Sequence, residues 1–167
     1  MRIVTAVEDL ESLPRPIVFL AGGITNCPEW QKQVIVGLKN VQVGTLLNPR
    51  RENFPIHDPN ASKEQITWEY RGLHMADVFS MWFCKGKSDQ PICFYELGRY
   101  LALRQVDKQL DRVVIGVEEG FHRSQDVYIQ TGLVNKKLGS EIYGNIEDYI
   151  VGLKDRIDKV ALELAMS

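Results

Sequence analysis

The chain has only three cysteines, Cys27, Cys84 and Cys93, an odd number with no Cys-x-x-Cys spacing. Neither a disulfide framework nor a cysteine-held zinc site is expected from such a set. Histidine is equally scarce. His57, His74 and His122 show no ligand spacing and no obvious serine or cysteine partner, so they read as surface or loop residues. With no His/Asp/Glu cluster at ligand spacing, no metal is expected. Neither sign of charge dominates: 20 Lys and Arg against 22 Asp and Glu leave a formal net charge of −2. A nucleic-acid polymer or an anionic membrane surface would select a basic patch, and nothing here supplies one. No apolar run approaches the roughly 20 residues of a membrane span. The opening MRIVTAVEDLESL is acidic and lacks the long apolar stretch of a signal peptide, so a cytoplasmic location is the expectation.

What is present is the make-up of one ordinary globular domain: 167 residues, 44% hydrophobic and 25% charged. ProIleValPheLeuAlaGlyGly (16 to 23) reads as a buried strand ending in glycines. Asn26, Pro28 and Glu29 give a helix start, with Asn26 as cap, and that helix should reach about Leu38. Residues 41 to 48 look like a second strand, followed by a long polar loop over 49 to 62. A helix over 62 to 75 places Ile66, Tyr70 and Leu73 on one face. Further strands are expected at 77 to 83 and 112 to 117, with a helix through Glu96 to about Gln105 between them. A helix beginning near Ser124 precedes a short strand around 141 to 143. The last helix, about Ile146 to Ala165 within a C-terminal segment 146 to 167, carries the stripe Ile150, Leu153, Ile157, Val160 and Leu164. Strands alternating with helices imply one α/β domain built on a mostly parallel sheet of about five strands, with residues 1 to 15 as an extension.

Ligands of open α/β sheets bind beyond the carboxyl ends of the strands, where helices begin. Glu96, early on its helix, is therefore a candidate site residue, and the helix N-terminus is expected to favour its ionised, nucleophilic form. The AlaGlyGlyIleThrAsn turn (21 to 26) would let backbone approach a ligand, though it also reads as a tight turn alone. Asn48, Arg50 and Arg51 leave the second strand toward the same edge, where two arginines could hold a phosphate or a carboxylate or simply face solvent. Gln65, Trp68 and Glu69 begin the helix that precedes strand 77 to 83. Antiparallel travel brings Glu69 near Glu96 although 27 positions separate them. Trp68 could stack on a base or be core. Asp77 opens its strand at the opposite edge and reads as structural. Two carboxylates in one pocket fit glycosidic chemistry, one attacking the anomeric carbon and one handling the proton; helix dipoles also collect structural carboxylates.

PheLeuAlaGlyGlyIleThrAsn, AsnProArgArg, GlnIleThrTrpGlu, the AlaAsp before an apolar strand and TyrGluLeuGly form an ordered set. With AspValTyrIleGln (126 to 130) as a late motif, they resemble the nucleoside 2-deoxyribosyltransferase-like family, in its bacterial and phage-type branch, from about residue 17 to 134. The resemblance implies a flavodoxin-like, Rossmann-like sheet and cleavage of the N-glycosidic bond of nucleosides or their 5′-monophosphates without a cofactor. Glu96 would be the nucleophile that forms a glycosyl-enzyme intermediate, and Glu69 the acid that contacts the base or moves its proton. Gly22, Gly23 and Asn26 would line the base pocket beside Trp68. Asp126 and Gln130 would reach sugar hydroxyls of the same subunit or, in a homo-oligomer of two or more subunits, of a neighbour. Gln90 and Pro91 stand where characterised transferases carry an acidic residue, and only Ser88 is offered where the nucleotide hydrolases hold a phosphate with serines. Transferase and hydrolase therefore both stay open, as does a non-catalytic nucleotide-binding module.

Overall fold

In the computed structural model, which describes residues 1–55 and 57–167, the chain forms a single α/β domain; Ile56, in the long loop, lies outside the described residues. Five strands, β1 (Arg2–Thr5), β2 (Ile17–Gly22), β3 (Thr45–Asn48), β4 (Val78–Phe83) and β5 (Val113–Val117), pair in the order β1-β3-β2-β4-β5. Every pairing is parallel. The helices are α1 (Trp30–Gly37), α2 (Ala61–Met75), α3 (Pro91–Val106), α4 (Ser124–Val134), the short α5 (Lys136–Ser140) and α6 (Ile146–Met166). This is an open flavodoxin-like or Rossmann-like sheet with helices on both faces.

The two faces follow from the period-2 alternation of strand side chains. From β2, Phe19 and Ala21 join one core with Trp68 and Leu73 of α2, Leu97 and Leu101 of α3, and Val127 of α4. Val18 and Leu20 face the other way, into a core with Trp30 and Val34 of α1 and Tyr149, Leu153 and Ile157 of α6. The strands between helical layers are buried throughout, which is why they read as continuous apolar runs rather than alternating ones.

Several expectations are corrected. The fifth strand is β1, inside the segment read as an extension; it runs beside β3 with Val4 turned into the core and Arg2 and Ile3 exposed. The 141 to 143 segment makes only a single parallel bridge, Tyr143 to Gly116. The second strand begins at Thr45, because Gly44 turns there with φ 84 and a β-carbon on it would sit 2.4 Å from the Pro16 carbonyl oxygen. Helix α1 starts at Trp30, and Asn26 lies upstream of it in the left-handed region, capping nothing. Ile66 and Tyr70 are exposed; the buried stripe of α2 is Ala61, Trp68, Gly72 and Leu73. The stripe on α6 is core: Leu153, Ile157 and Val160 are buried, with Ile150 and Leu164 packed beside them. An amphipathic stripe reports that something covers it, not whether the cover is the same chain.

Asp77 is structural, as its place in sequence implies. Its buried carboxylate accepts from the Ile17 amide (2.8 Å) and from the Arg15 guanidinium, tying the entry of β2 to that of β4. Asp77→Ala leaves a buried amide without its acceptor, and we expect a loss of about 2 kcal/mol in unfolding free energy. Denaturant melts check this; a loss under about 0.5 kcal/mol, the scale of an ordinary surface change, contradicts the role.

Candidate active site

From β2 the chain passes to β3 on one side of the sheet and later to β4 on the other, so the strand order reverses at the carboxyl end of β2. That reversal opens a crevice between the loops that leave β2 and β4. A cleft of about 220 Å³ lies there, with Gly22, Gly23, Glu69, Ser88, Gln90, Cys93 and Glu96 among its walls. It is smaller than the roughly 300–1,000 Å³ of drug-sized ligand sites, which fits a small metabolite.

The glycine turn is the floor, and both glycines are required by space. A β-carbon on Gly22 would meet the Trp82 carbonyl oxygen at 2.4 Å, and one on Gly23 would meet Cys27 Sγ at 2.4 Å and Gln90 Oε1 at 2.6 Å. The turn is pinned from outside. Trp30 Nε1 donates to the Gly23 carbonyl (2.9 Å), and one Arg50 nitrogen donates to the carbonyls of Ile24 (2.9 Å), Cys27 (3.2 Å) and Pro28 (2.9 Å). Arg50 is thus occupied with backbone rather than turned to an anion. Arg50→Ala should loosen the 23 to 28 segment and cost about 1–3 kcal/mol, because several carbonyls lose a charged donor together. Arg50→Lys should rescue it poorly, since a lysine cannot present the same planar fork. Thermal melts of both variants test this; full rescue by lysine would contradict the reading.

Both glutamates occupy positions that helix geometry would otherwise give to apolar side chains. On α3 the buried residues are Cys93, Leu97, Tyr100 and Leu101, and Glu96 falls on the same i, i+3, i+4 stripe. On α2 Glu69 sits between Trp68 and Gly72 of the buried face. A carboxylate on a core-facing stripe is the signal in the sequence that marks these two apart from the other acidic residues. Gln65, one turn before Glu69, holds it: Nε2 donates to Glu69 Oε1 (2.7 Å) and to the Pro49 carbonyl (2.6 Å).

The electrostatics reverse one expectation. Glu96 is the sixth residue of α3, beyond the first turn where the helix dipole acts. Burial dominates instead, and with the neighbouring Glu69 carboxylate it pushes the Glu96 pKa up to about 8. Glu69 is also raised by burial, against the lowering effect of the Gln65 hydrogen bond. Two half-buried carboxyls side by side, one of which raises the proton affinity of the other, form a pair suited to one acid and one anion.

Helix α3 owes its start to Pro91 at its first position, whose missing amide costs nothing there. Gln90 before it is left-handed (φ 50) and buried, and its Nε2 donates to the Cys84 carbonyl (2.7 Å). Sequence reasoning noted Gln90 only as a departure; its wall position follows from this fold-back and has no local signal. Cys93 in the cleft wall was likewise missed.

Other residues singled out lie elsewhere. Trp68 is core, 6.0 Å from Phe19 ring to ring, with its indole donating to the Glu8 carbonyl (2.8 Å). Asn48 closes a local turn by accepting from the Arg50 amide (3.1 Å), and Arg51 lies over the Phe54 ring at 5.7 Å. Asn26 is exposed. Asp126 pairs with Arg123 (3.1 Å), and with Gln130 it lines a separate groove between α3 and α4. Of the named set, the cleft gathers Gly22, Gly23, Glu69 and Glu96, with Gln65 supporting. Among the described residues no helix is long and apolar enough to cross a membrane.

No curated protein matches the chain. A family model described as nucleoside 2-deoxyribosyltransferase like matches residues 15–121, which carry β2 to β5 and the whole cleft. The chain therefore belongs to the nucleoside 2-deoxyribosyltransferase-like family, a group associated with glycosyl transfer.

Proposed function

We propose that this protein cleaves the N-glycosidic bond of a nucleoside through a covalent intermediate on Glu96. The observation that carries the reading is the pair Glu96 and Glu69, projected from two helices into one cleft, where burial raises the proton affinity of both and Glu69 raises that of Glu96 further. A carboxylate oxygen of Glu96 attacks the anomeric carbon as the bond to the base breaks. Glu69, protonated and aimed by Gln65, supplies the proton the departing base takes up. Water or a second base then attacks the same carbon and releases Glu96, so two inversions give net retention.

An uncharged nucleoside suits the cleft better than its 5′-monophosphate. Among the described residues lining it there is no lysine or arginine, and two glutamates already stand there. A phosphate dianion would put more negative charge beside these carboxyls in a partly buried space with no cation among the described residues lining it. Asp126 and Gln130 reach substrate only if a neighbouring subunit brings its α3–α4 groove to the cleft, so a homo-oligomer of at least two chains belongs to this reading.

The test is a base-release screen. Each ribo- and deoxyribonucleoside and its monophosphate is incubated with the protein, with and without a second free base, and products are separated by chromatography. Free base alone identifies a hydrolase, and a new nucleoside a transferase. Tight nucleoside binding with no base released after prolonged incubation would overturn the catalytic reading in favour of a binding module.

A further inference from the structure

Two cysteines meet behind the cleft wall, far apart in sequence. Cys27 lies in the segment that leaves β2, and Cys84 directly follows β4, the strand paired with β2 through Gly22 and Trp82. Cys27 packs against the buried cluster that contains Cys84, and its Cα is 4.0 Å from where a β-carbon on Gly86 would stand. Both are free thiols, Cys84 fully buried and Cys27 only partly so. The Cys84 thiol is held well above the usual thiol range, by burial first and then by the facing thiol of Cys27.

This pair is wired to the cleft. Cys27 Sγ and Gln90 Oε1 close on Gly23 from two sides, and the Cys84 carbonyl accepts the Gln90 side chain at 2.7 Å. Gln90 in turn precedes Pro91, where the helix bearing Glu96 starts. The Cys84 carbonyl can only accept, so the Gln90 amide orientation is chemically determined: Nε2 toward Cys84 and Oε1 toward Gly23. A displacement of either sulfur therefore presses on the floor of the cleft and on the approach to α3.

We propose that Cys27 and Cys84 are a reversible oxidation site, converted by a peroxide to a disulfide that reshapes the cleft and suppresses ligand binding. Cys27, the more accessible thiol, attacks the peroxide as thiolate; its sulfur gains one oxygen, becoming a sulfenic acid, and the peroxide is reduced to water. The Cys84 sulfur then attacks the Cys27 sulfur, forming the S–S bond and expelling the hydroxyl, which leaves as a second water with the Cys84 proton. Two thiols lose two hydrogens and two electrons to one peroxide. The bridge draws the sulfurs to about 2.05 Å and takes Cys27 Sγ away from its seat against Gly23. Burial keeps Cys84 an unreactive thiol until the sulfenic acid forms beside it, which suits a switch rather than a permanent staple.

The peroxide effect on nucleoside affinity rests on the proposed function, whereas the bridge itself does not, so the two are read separately. The full-length protein is treated with hydrogen peroxide, quenched by alkylation, digested and mapped by mass spectrometry. The expected product is a peptide pair joined through Cys27 and Cys84, lost on treatment with a dithiol. Nucleoside affinity, by calorimetry, should fall by about tenfold or more, because small displacements of positioning groups act on that scale. It should return on reduction. Cys27→Ser should bind normally and resist peroxide; should it fold poorly, Cys84→Ala should form no bridge and accumulate the Cys27 sulfenic acid, trapped by dimedone. Over-oxidation of Cys27 with Cys84 untouched, or a bridge to Cys93 instead, would overturn the assignment. So would a Cys27–Cys84 bridge that leaves affinity unchanged.

Discussion

Glu96→Gln and Glu96→Ala should each abolish base release, by on the order of 10⁴-fold or more, while leaving the fold intact. In the proposed reaction the nucleophile has no substitute in the cleft, since Glu69 would handle the proton and is tied to Gln65. Stability should move the other way. Glu96 binds its proton more tightly in the folded chain, with a pKa of about 8 against an ordinary value of 4.5. The folded state therefore holds more protons than the unfolded one between those values, and stability falls as pH rises through that window. Glu96→Gln removes this dependence, so the variant should melt above the parent at pH 8 and lose most of that advantage near pH 4.5. Turnover by the parent follows the opposite slope. The attacking form is the anion, so the Glu96 limb of kcat/KM should rise with pH toward about 8, and the need for Glu69 as an acid sets the opposing limb. An active, folded Glu96→Ala protein would end the covalent reading. A Glu96→Gln variant melting below the parent at pH 8 would contradict the burial argument.

Glu69→Gln should cut turnover by about 10²–10³-fold, the range of a lost general acid. It should also shift the rising limb of the pH profile to lower pH, because the Glu69 carboxylate is the second cause, after burial, of the high pKa of Glu96. The two effects together distinguish a partner in proton transfer from a residue that merely shapes the wall. A structural role would lower affinity or stability and leave the pH profile where it was. Gln65→Leu provides a graded version: Glu69 keeps its carboxyl but loses the donor at 2.7 Å that holds it. Its pKa should rise further, as the lowering influence of that bond disappears. Nucleosides with good leaving bases should suffer least from either change, since they depend least on protonation.

The largest elements were legible because burial leaves a periodic trace. β2, β4 and β5 are almost wholly apolar runs, and the apolar stripe located α6, whereas α2 was placed as a helix with the wrong face inward. The ordered motifs, spread over most of the chain, were likewise sufficient to indicate the family that the match at 15–121 shows. β1 escaped because an edge strand of four residues with one buried position carries almost no pattern. The start of α1 was misread because Asn26 and Pro28 imitate a cap, while the left-handed backbone of Asn26 belongs to the turn before the helix.

The sequence alone determined the layered α/β architecture and the identity of the two carboxylates, because residue type at a periodic position is local information. Only the tertiary structure decided their chemistry. The high pKa of Glu96 arises from burial and from Glu69, which stands on another helix. Arg50 could equally have met an anion until folding set it against three backbone carbonyls. The α6 stripe found its cover within the chain, against β4, β5 and α1. In each case the deciding quantity is desolvation or a partner distant in sequence, and neither can be read from a residue's own neighbours along the chain.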